Sequence, residues 1–414
     1  MADYRILSLD GGGPWAVLQV MALIDLYSPA KDGSDVTGHA LLKKFDLVAA
    51  NSGGTLTLGG LLMDWTLADL LQMFLSPAKR NQIFVPATII EDPIAHLTQL
   101  AGFGPKYSAK GKYAGLRDIL GAHGDTFVSD APALVGPGYG GRLPQFVFCA
   151  FNYDTNRGTF FRSDAGSLAA SLSPKPNVTI AQAIHASANP PVNYFDAPAD
   201  LPQHTRYWDG GVGGYNNPVL AAVIEAVANA TRNNTNRASI KALSIGTANV
   251  VLPPALGRPG EDPDLVAPRS GSTILGDLKK MASSILDDPP DAATFHAHMM
   301  LDGVLPVAGS NLPVDSPVVR LNPLIQPVAG VAVPWLFPTG LPRADFIAIR
   351  DLPMDATASA DIAKIQNLGN LWIANDVPNQ PVRANTATLS PEIGYGRYQF
   401  VRAAALKAFA PEHL

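Results

Sequence analysis

The sequence predicts an α/β protein in three layers, with a mostly parallel central sheet covered by helices on both faces. Two observations support this fold class. Short apolar runs typical of buried strands alternate with stretches of helical periodicity, and two of the runs end in glycine-rich turns, at residues 10–13 (Asp-Gly-Gly-Gly) and 50–54 (Ala-Asn-Ser-Gly-Gly). A strand, a tight turn and a helix in succession lift backbone N–H groups or a side chain above the carboxyl edge of a parallel sheet.

The elements follow one another in a regular order up to residue 250. Pro14 suits the first turn of a helix, and Thr66 suits an N-cap. Strands are predicted over residues 4–9, 45–49, 145–151, 206–208 and 240–245, with 159–162 pairing beside the third. Helices are predicted over residues 14–26, 53–63, 66–78, 92–101, 113–122, 179–188 and 218–231.

The last third of the chain has a different character. Residues 252–270 are rich in Pro and Gly and predict a surface loop, whereas 273–301 carry helical periodicity that is interrupted at 287–290. Residues 303–345 are Pro-rich and mostly apolar, and a terminal helix is predicted over 390–409 with Ser390 as its cap. We expect residues 251–414 to complete or cap the same domain as a core formed by residues 1–250.

Composition excludes several classes of protein. The chain has 414 residues, 47% hydrophobic and 16% charged, with a net charge of -5, which argues against a disordered or nucleic-acid-binding protein. The single cysteine, Cys149, cannot form an internal disulfide and lies in an apolar run typical of a buried strand. We expect no secretory signal, and prolines interrupt the longest uncharged stretch, between Arg320 and Arg343. We therefore expect a soluble, cytoplasmic protein.

Ser52, in the second glycine-rich turn, is a candidate nucleophile. A serine hydroxyl needs a base and donors that stabilise the developing oxyanion, and the N–H groups of Gly11, Gly12 and Gly13 could provide those donors. The alternative for Ser52 is a helix cap. The first turn also matches a dinucleotide fingerprint through Gly11, Gly13 and Ala16, but the second strand ends without the acidic residue that would hold a ribose.

Asp209 follows a third predicted strand, which makes it a candidate general base as well as an ordinary turn residue. A Ser–His–Asp hydrolase of the common α/β kind would place its histidine after the acid, at His296 or His298. A spacing of two residues puts these histidines on different faces of a helix, so they are a poor metal pair. The sequence predicts no metal or cofactor.

These motifs together resemble the patatin-like phospholipase family. The resemblance rests on Leu-Asp-Gly-Gly-Gly at 9–13, Asn-Ser-Gly-Gly at 51–54 and Asp-Gly-Gly at 209–211, supported by the segments 186–190, 216–218 and 243–247 in the family's order. The resemblance implies a modified α/β-hydrolase fold and a lipid acyl hydrolase that needs no cofactor. It implies that Ser52 is the nucleophile, Asp209 the general base, and Gly11, Gly12 and Gly13 the oxyanion hole.

The sequence departs from the family pattern at two positions, and because of these departures other functions remain open. Trp15 stands where the family usually has Arg or Lys, and Ala50 replaces the first glycine of the nucleophile turn. The alternatives are a Ser–His–Asp esterase and an inactive module that binds lipid or a partner. The apolar, Pro-kinked stretch 331–338 predicts either a buried segment or transient contact with a membrane surface through Trp335 and Phe337.

Overall fold

The structure, a computed structural model, describes residues 3–87, 105–164, 166–168, 171, 177–191, 194–201, 205–267, 290–304, 316–381 and 393–409. The predicted helix at 92–101 lies outside the described residues, as do residues 273–289 and the proposed cap Ser390.

The described residues form a central sheet of eight strands. The strands are β1 Tyr4–Leu9, β2 Leu47–Ala50, β3 Gln145–Asn152, β4 Arg157–Arg162, β5 Ala199–Leu201, β6 Thr205–Asp209, β7 Ile240–Ile245 and β9 Val318–Leu321. Their order in the sheet is β5-β6-β3-β2-β1-β7-β9, and β4 pairs with β3 beside this path. The run from β3 through β2, β1 and β7 to β9 is parallel, whereas β4, β5 and β6 join by antiparallel pairing.

Helices cover both faces of this sheet. They are α1 Val17–Tyr27, α2 Gly38–Leu42, α3 Gly53–Leu62, α4 Leu67–Leu75, α5 Pro77–Ile83, α6 Ala109–Leu120, α7 Ala131–Val135, α8 Ile180–Ser187, α9 Val219–Ala228, α10 Arg343–Arg350, α11 Ser359–Ile373 and α12 Tyr398–Phe409. Residues 290–300 are also helical.

Alternate residues of the strands point to two separate cores. Leu7 and Leu9 of β1 pack with α1, α3, α8, α11 and α12 on one face. Tyr4 and Ile6 of the same strand pack on the other face with α9 and the helical residues 290–300. The protein is therefore a three-layer α/β structure with a mostly parallel sheet, as the sequence predicts.

The predicted strands at 4–9 and 240–245 are confirmed with the same bounds, and the antiparallel strand beside β3 is confirmed as β4. The predicted helix at 14–26 divides into a 3₁₀ turn, Gly13–Ala16, and α1. The terminal helix begins at Tyr398, so the prediction of helix from 390 is wrong over residues 393–397. Gly394 has a φ of 102°, which is incompatible with a right-handed helix.

The part of the chain after residue 251 contributes to the same sheet. Strand β9 pairs in parallel with β7 and forms one edge of the described sheet, and α11 and α12 pack in the same core as Leu7 and Leu9. Two two-stranded sheets lie outside the central one, β8 (Asn249–Val250) with β10 (Leu324–Ile325) and β11 (Val328–Ala329) with β12 (Trp335–Leu336).

The β11–β12 hairpin contains most of the apolar stretch 331–338. Trp335 and Phe337 are half-buried and pack against the main core, and the ring of Phe337 lies 5.5 Å from that of Phe346. The large apolar side chains of the hairpin that are exposed are Val328, Val331 and Leu336. Within the described ranges, no helix has both the length and the apolar character to cross a bilayer.

Candidate active site

Ser52 lies in a strained turn between β2 and α3. Its φ is 48° and its ψ is -122°, a conformation that a residue with a side chain rarely adopts and that costs of order 1–3 kcal/mol. Ala50, in contrast, lies within strand β2. The unfavourable dihedral angle falls on Ser52 itself, so an alanine in place of the family's first glycine causes no backbone strain here.

The glycines after Ser52 let two turns approach each other closely. A Cβ on Gly53 would lie 2.5 Å from the Gly13 carbonyl oxygen and 2.6 Å from the Gly13 nitrogen. A Cβ on Gly54 would lie 2.4 Å from the Leu9 carbonyl oxygen. Only glycine fits at these positions, because any side chain would push the first glycine turn away from Ser52.

The structure brings Ser52 and Asp209 together at the carboxyl edge of the sheet. The Ser52 side chain lies close to the Asp209 carboxyl and acts to lower its pKa as a hydrogen-bonding group. The Asp209 Oδ1 atom accepts hydrogen bonds from Asn51 Nδ2 at 3.0 Å and from the Gly211 N–H at 2.8 Å. Ser52 and Asp209 are 6% and 5% exposed, so this contact forms in a nearly dry environment.

Burial is the main influence on the protonation of Asp209. Desolvation raises the pKa of this carboxyl above its ordinary value, while the hydrogen bonds from Ser52, Gly211 and Asn51 and the charge of Lys112 oppose the rise. A carboxylate with a raised pKa is a better proton acceptor than an exposed one. Asp209 can therefore accept a proton from the hydroxyl that it contacts.

The C-terminal end of α8 supports both residues from the same side. The Ser52 N–H donates to Ser187 Oγ at 3.1 Å, and the Asp209 N–H donates to the Asn189 carbonyl oxygen at 3.1 Å. Lys112 is completely buried, and its ammonium donates to the carbonyl oxygens of His185 and Ala188 at 3.0 and 2.6 Å and to Asn189 Oδ1 at 2.7 Å. A cation at this position also complements the negative end of the α8 dipole.

The three glycines of the first turn do not share one environment. The Gly11 N–H donates to the Asn216 carbonyl oxygen at 2.8 Å, so it is already engaged. Gly12 and Gly13 have φ angles of 154° and 53°, which glycine adopts without strain. The Gly13 N–H lies beside the Ser52 turn, as its closeness to Gly53 demonstrates.

A small apolar cleft, about 30 Å³ in volume, opens above Ser52. Most of the side chains that line it are apolar, among them Leu56, Phe84 and Phe195. This surface can contact an acyl chain with little cost in desolvated polar groups.

Trp15, which departs from the family pattern, holds a segment of chain that borders this cleft. Its side chain is buried, and the indole N–H donates to the Pro353 carbonyl oxygen at 3.1 Å. Pro353 precedes Met354 and Asp355, which line the apolar cleft. Trp15 therefore anchors a segment of the cleft wall from the last third of the chain.

The guanidinium nearest the glycine turn comes from strand β9. Arg320 Nη2 donates to Asp10 Oδ2 at 2.6 Å, and its Nη1 donates to Ser244 Oγ at 2.8 Å. Burial raises the pKa of Asp10 to about 6, although Arg320 acts to lower it. Both side chains are buried, so this ion pair joins the first glycine turn to the edge of the sheet.

The two candidate histidines have other surroundings. His296 is exposed, and His298 is buried with its ring nitrogens 3.0 Å from Ser316 Oγ and 3.2 Å from the Val304 carbonyl oxygen. His298 also belongs to the helical residues 290–300, which pack on the opposite face of the sheet from α3. Neither histidine is among the hydrogen-bond partners described for Asp209.

A family model for patatin-like phospholipases matches residues 7–223, more than half of the chain. The chain belongs to the patatin-like phospholipase family. A solved structure, VipD from Legionella pneumophila, is similar at 11% sequence identity over 89% of this chain and 67% of that one, with a TM-score of 0.36. A comparison with curated proteins finds no significant match.

Four residues that support the patatin-like site differ in how far the sequence points to them. Asn51 and Ser187 lie within the motifs at 51–54 and 186–190, which mark them as part of the site. Lys112 and Arg320 lie outside the motifs and reach it only through contacts between residues 73 or more positions apart. A sequence pattern holds no signal for contacts of that kind.

Proposed function

We propose that the protein is a serine esterase that hydrolyses fatty acyl esters through Ser52 and Asp209. Its family acts on lipid substrates, which supports an acyl ester as the substrate class. The observation that carries the proposal is the closeness of the Ser52 side chain to the buried Asp209 carboxylate, on a strained turn at the mouth of an apolar cleft.

In the proposed first step, Asp209 accepts the proton of the Ser52 hydroxyl while Oγ forms a bond to the acyl carbon. The carbonyl oxygen becomes an oxyanion, which the Gly13 N–H and the neighbouring Gly12 N–H stabilise. We leave Gly11 out of this role because its N–H already donates to Asn216. The bond to the leaving oxygen then breaks, and that oxygen takes the proton from Asp209.

In the second step, water gives a proton to Asp209 and the resulting hydroxide attacks the acyl-serine. The acyl–oxygen bond to Ser52 breaks, the fatty acid leaves, and the proton returns from Asp209 to Ser52 Oγ. Asn51 and Gly211 keep the carboxylate in position throughout, because both donate to Oδ1.

Two substitutions test this function. Ser52→Ala should lower kcat/KM for a p-nitrophenyl acyl ester by about 10⁴-fold or more, and Asp209→Asn by about 10³-fold. Ser34→Ala, at an exposed serine, is the control and should match the wild type. Full turnover by Ser52→Ala would refute the proposal.

Covalent labelling separates this proposal from the alternatives. A fluorophosphonate probe should label the wild type and fail to label Ser52→Ala, whereas an inactive lipid-binding module would not be labelled at all. Replacing both His296 and His298 with Gln should leave kcat of the folded protein largely unchanged, because neither is among the partners described for Asp209. A loss of more than 10³-fold would favour the triad.

We further propose that the β11–β12 hairpin makes transient contact with a membrane surface. Val331 is fully exposed at the turn of the hairpin, and Leu336 is also exposed, whereas Trp335 and Phe337 are half-buried. Val331→Ser should weaken binding to phosphatidylglycerol vesicles in a sedimentation assay while turnover of a soluble ester stays constant. Val304→Ser is the matched control, since Val304 is an exposed valine outside the hairpin. Equal vesicle binding by both variants would exclude this role.

A further inference from the structure

A second cavity, which we call the polar cavity, lies beside the first glycine turn. Its volume is about 290 Å³, against about 30 Å³ for the apolar cleft. Gly11 and Gly12 line the polar cavity, whereas Gly13 and Ser52 line the cleft. Met354 borders both, and the polar cavity has far more hydrogen-bonding groups in its wall than the cleft has.

Uncharged hydrogen-bonding groups make up much of the cavity wall. They are the side-chain amides of Asn216, Asn249, Asn322 and Gln380 and the hydroxyl of Thr247. An amide presents both donors and an acceptor, and a hydroxyl does the same. Such a wall suits a ligand that also carries donors and acceptors together.

Asp10 provides the observation that points to a ligand. The residue is 3% exposed, and its Oδ2 atom is paired with Arg320. Its Oδ1 atom is buried and has no hydrogen-bond partner within the described part of the chain. A buried carboxylate oxygen without a donor is costly, and a ligand O–H group in the cavity would supply one.

The charges of the wall indicate what kind of ligand fits. Arg320 is the one cation among the described lining residues, and it is already engaged by Asp10 at 2.6 Å. Asp291 adds a second carboxylate, which accepts from Gln380 Nε2 at 2.7 Å. A phosphate would therefore meet an excess of negative charge, which is unfavourable in a partly buried site.

We propose that the polar cavity binds the alcohol part of the substrate, and that this alcohol is an uncharged polyol, glycerol or a hexose, without a phosphate. This inference rests on the proposed esterase function. With the acyl chain in the apolar cleft and the polyol in the polar cavity, the ester bond lies across the glycine turn beside Ser52. Trp15 also lines the polar cavity, and its ring can cover the C–H face of a polyol.

Two kinds of measurement test this assignment on the full chain. In kinetics, 1-decanoylglycerol should have a kcat/KM at least tenfold above those of decanoyl lysophosphatidic acid and decanoyl lysophosphatidylcholine. In calorimetry, the non-hydrolysable 1-O-decylglycerol should bind at least tenfold more tightly than decyl phosphate or decylphosphocholine. A preference for either phosphate compound would overturn the inference, and tighter binding of the choline compound would identify the cavity as a cation site instead.

Substitutions test whether the preference for glycerol esters over phosphate esters depends on the polar cavity. Asp10→Asn should reduce the ratio of glycerol ester to lysophosphatidic acid turnover at least tenfold, because it removes a hydroxyl acceptor and frees the Arg320 charge. Asn249→Leu tests the same wall if Asp10→Asn does not fold. The control is Asp46→Asn, another buried carboxylate paired with an arginine, Arg142, and it should leave the ratio unaltered. An unchanged ratio in both cavity variants would refute the assignment.

The esterase itself is tested separately with p-nitrophenyl decanoate, whose leaving group needs no polyol site. Absence of turnover with this ester would mean that the proposed function is wrong, while decylglycerol binding would still test the cavity. Turnover of this ester together with a preference for phosphate headgroups would mean that only the polyol assignment is wrong.

Discussion

Lys112 allows a quantitative test of how the site is held together. We predict that Lys112→Met destabilises the protein, because methionine keeps much of the side-chain volume but removes the ammonium. Three acceptors then lose their donor: the carbonyl oxygens of His185 and Ala188 and the side chain of Asn189. Each unsatisfied buried group costs about 1–3 kcal/mol, so the loss is roughly 3–9 kcal/mol before compensation.

The compensation comes from the charge that is removed. Burying an ammonium costs several kcal/mol, and Lys112→Met no longer pays this penalty. We therefore expect a net decrease of about 2–4 kcal/mol in the free energy of unfolding. Urea denaturation followed by circular dichroism measures it as a lower midpoint with a similar slope.

The same helix provides a matched control. Lys110 lies two residues earlier in α6 and is exposed, so Lys110→Met should change the free energy of unfolding by less than about 0.5 kcal/mol. Lys112→Met should also lower kcat of the folded protein about tenfold, since Asn189 accepts the Asp209 N–H. Equal stability of the two variants would refute the view that Lys112 supports the end of α8.

Three further predictions concern the turns and the base. Burial raises the pKa of Asp209, and only its ionised form can accept the Ser52 proton. We therefore expect kcat/KM for a neutral ester to rise with pH, with its acid limb above the range of an ordinary exposed aspartate, and a limb within that range would contradict this. Gly53→Ala should lower kcat/KM by roughly 10²-fold because its Cβ would lie 2.6 Å from the Gly13 nitrogen, whereas Gly396→Ala, with nothing within 4 Å, should be neutral in the same assay. Trp15→Phe should cost about 1 kcal/mol in thermal unfolding through loss of the bond to Pro353, and an unchanged Tm would mean that this bond contributes nothing.

The parallel centre of the fold could be predicted because its strands are buried on both sides. Residues 4–9 and 240–245 are apolar runs bounded by turns or loops, and both became strands with the predicted bounds. Helix α11, the longest labelled helix, was not predicted, although Ile362, Ile365 and Leu368 repeat at helical spacing. A helix is easier to recognise when a glycine turn marks its beginning, and α11 has none.

The candidate site was predictable only in part, for a related reason. Ser52 follows β2 and Asp209 ends β6, which marks both as candidates. Strand β6 runs antiparallel to β3, however, so the shared edge of parallel strands does not explain why they meet. The register on β3 does, because Ala50 pairs with Phe148 and Asp209 with Ala150. The engagement of the Gly11 N–H by Asn216, in contrast, depends on a contact across 205 positions, which no local pattern encodes. The bond from the Trp15 indole to the Pro353 carbonyl oxygen likewise depends on tertiary packing.

The ion pair between Asp10 and Arg320 sets a limit on how this fold can be divided. The family match ends at residue 223, yet the guanidinium that holds the first glycine turn comes from residue 320. A graft of residues 7–223 into another scaffold would carry the serine but lack strands β7 and β9. It would leave the buried Asp10 without its counter-ion and strand β1 without its neighbour on one side. An engineered fragment must therefore keep strand β9 together with Ser52, because the Asp10–Arg320 ion pair joins the part of the chain that the family model matches to the part that it does not.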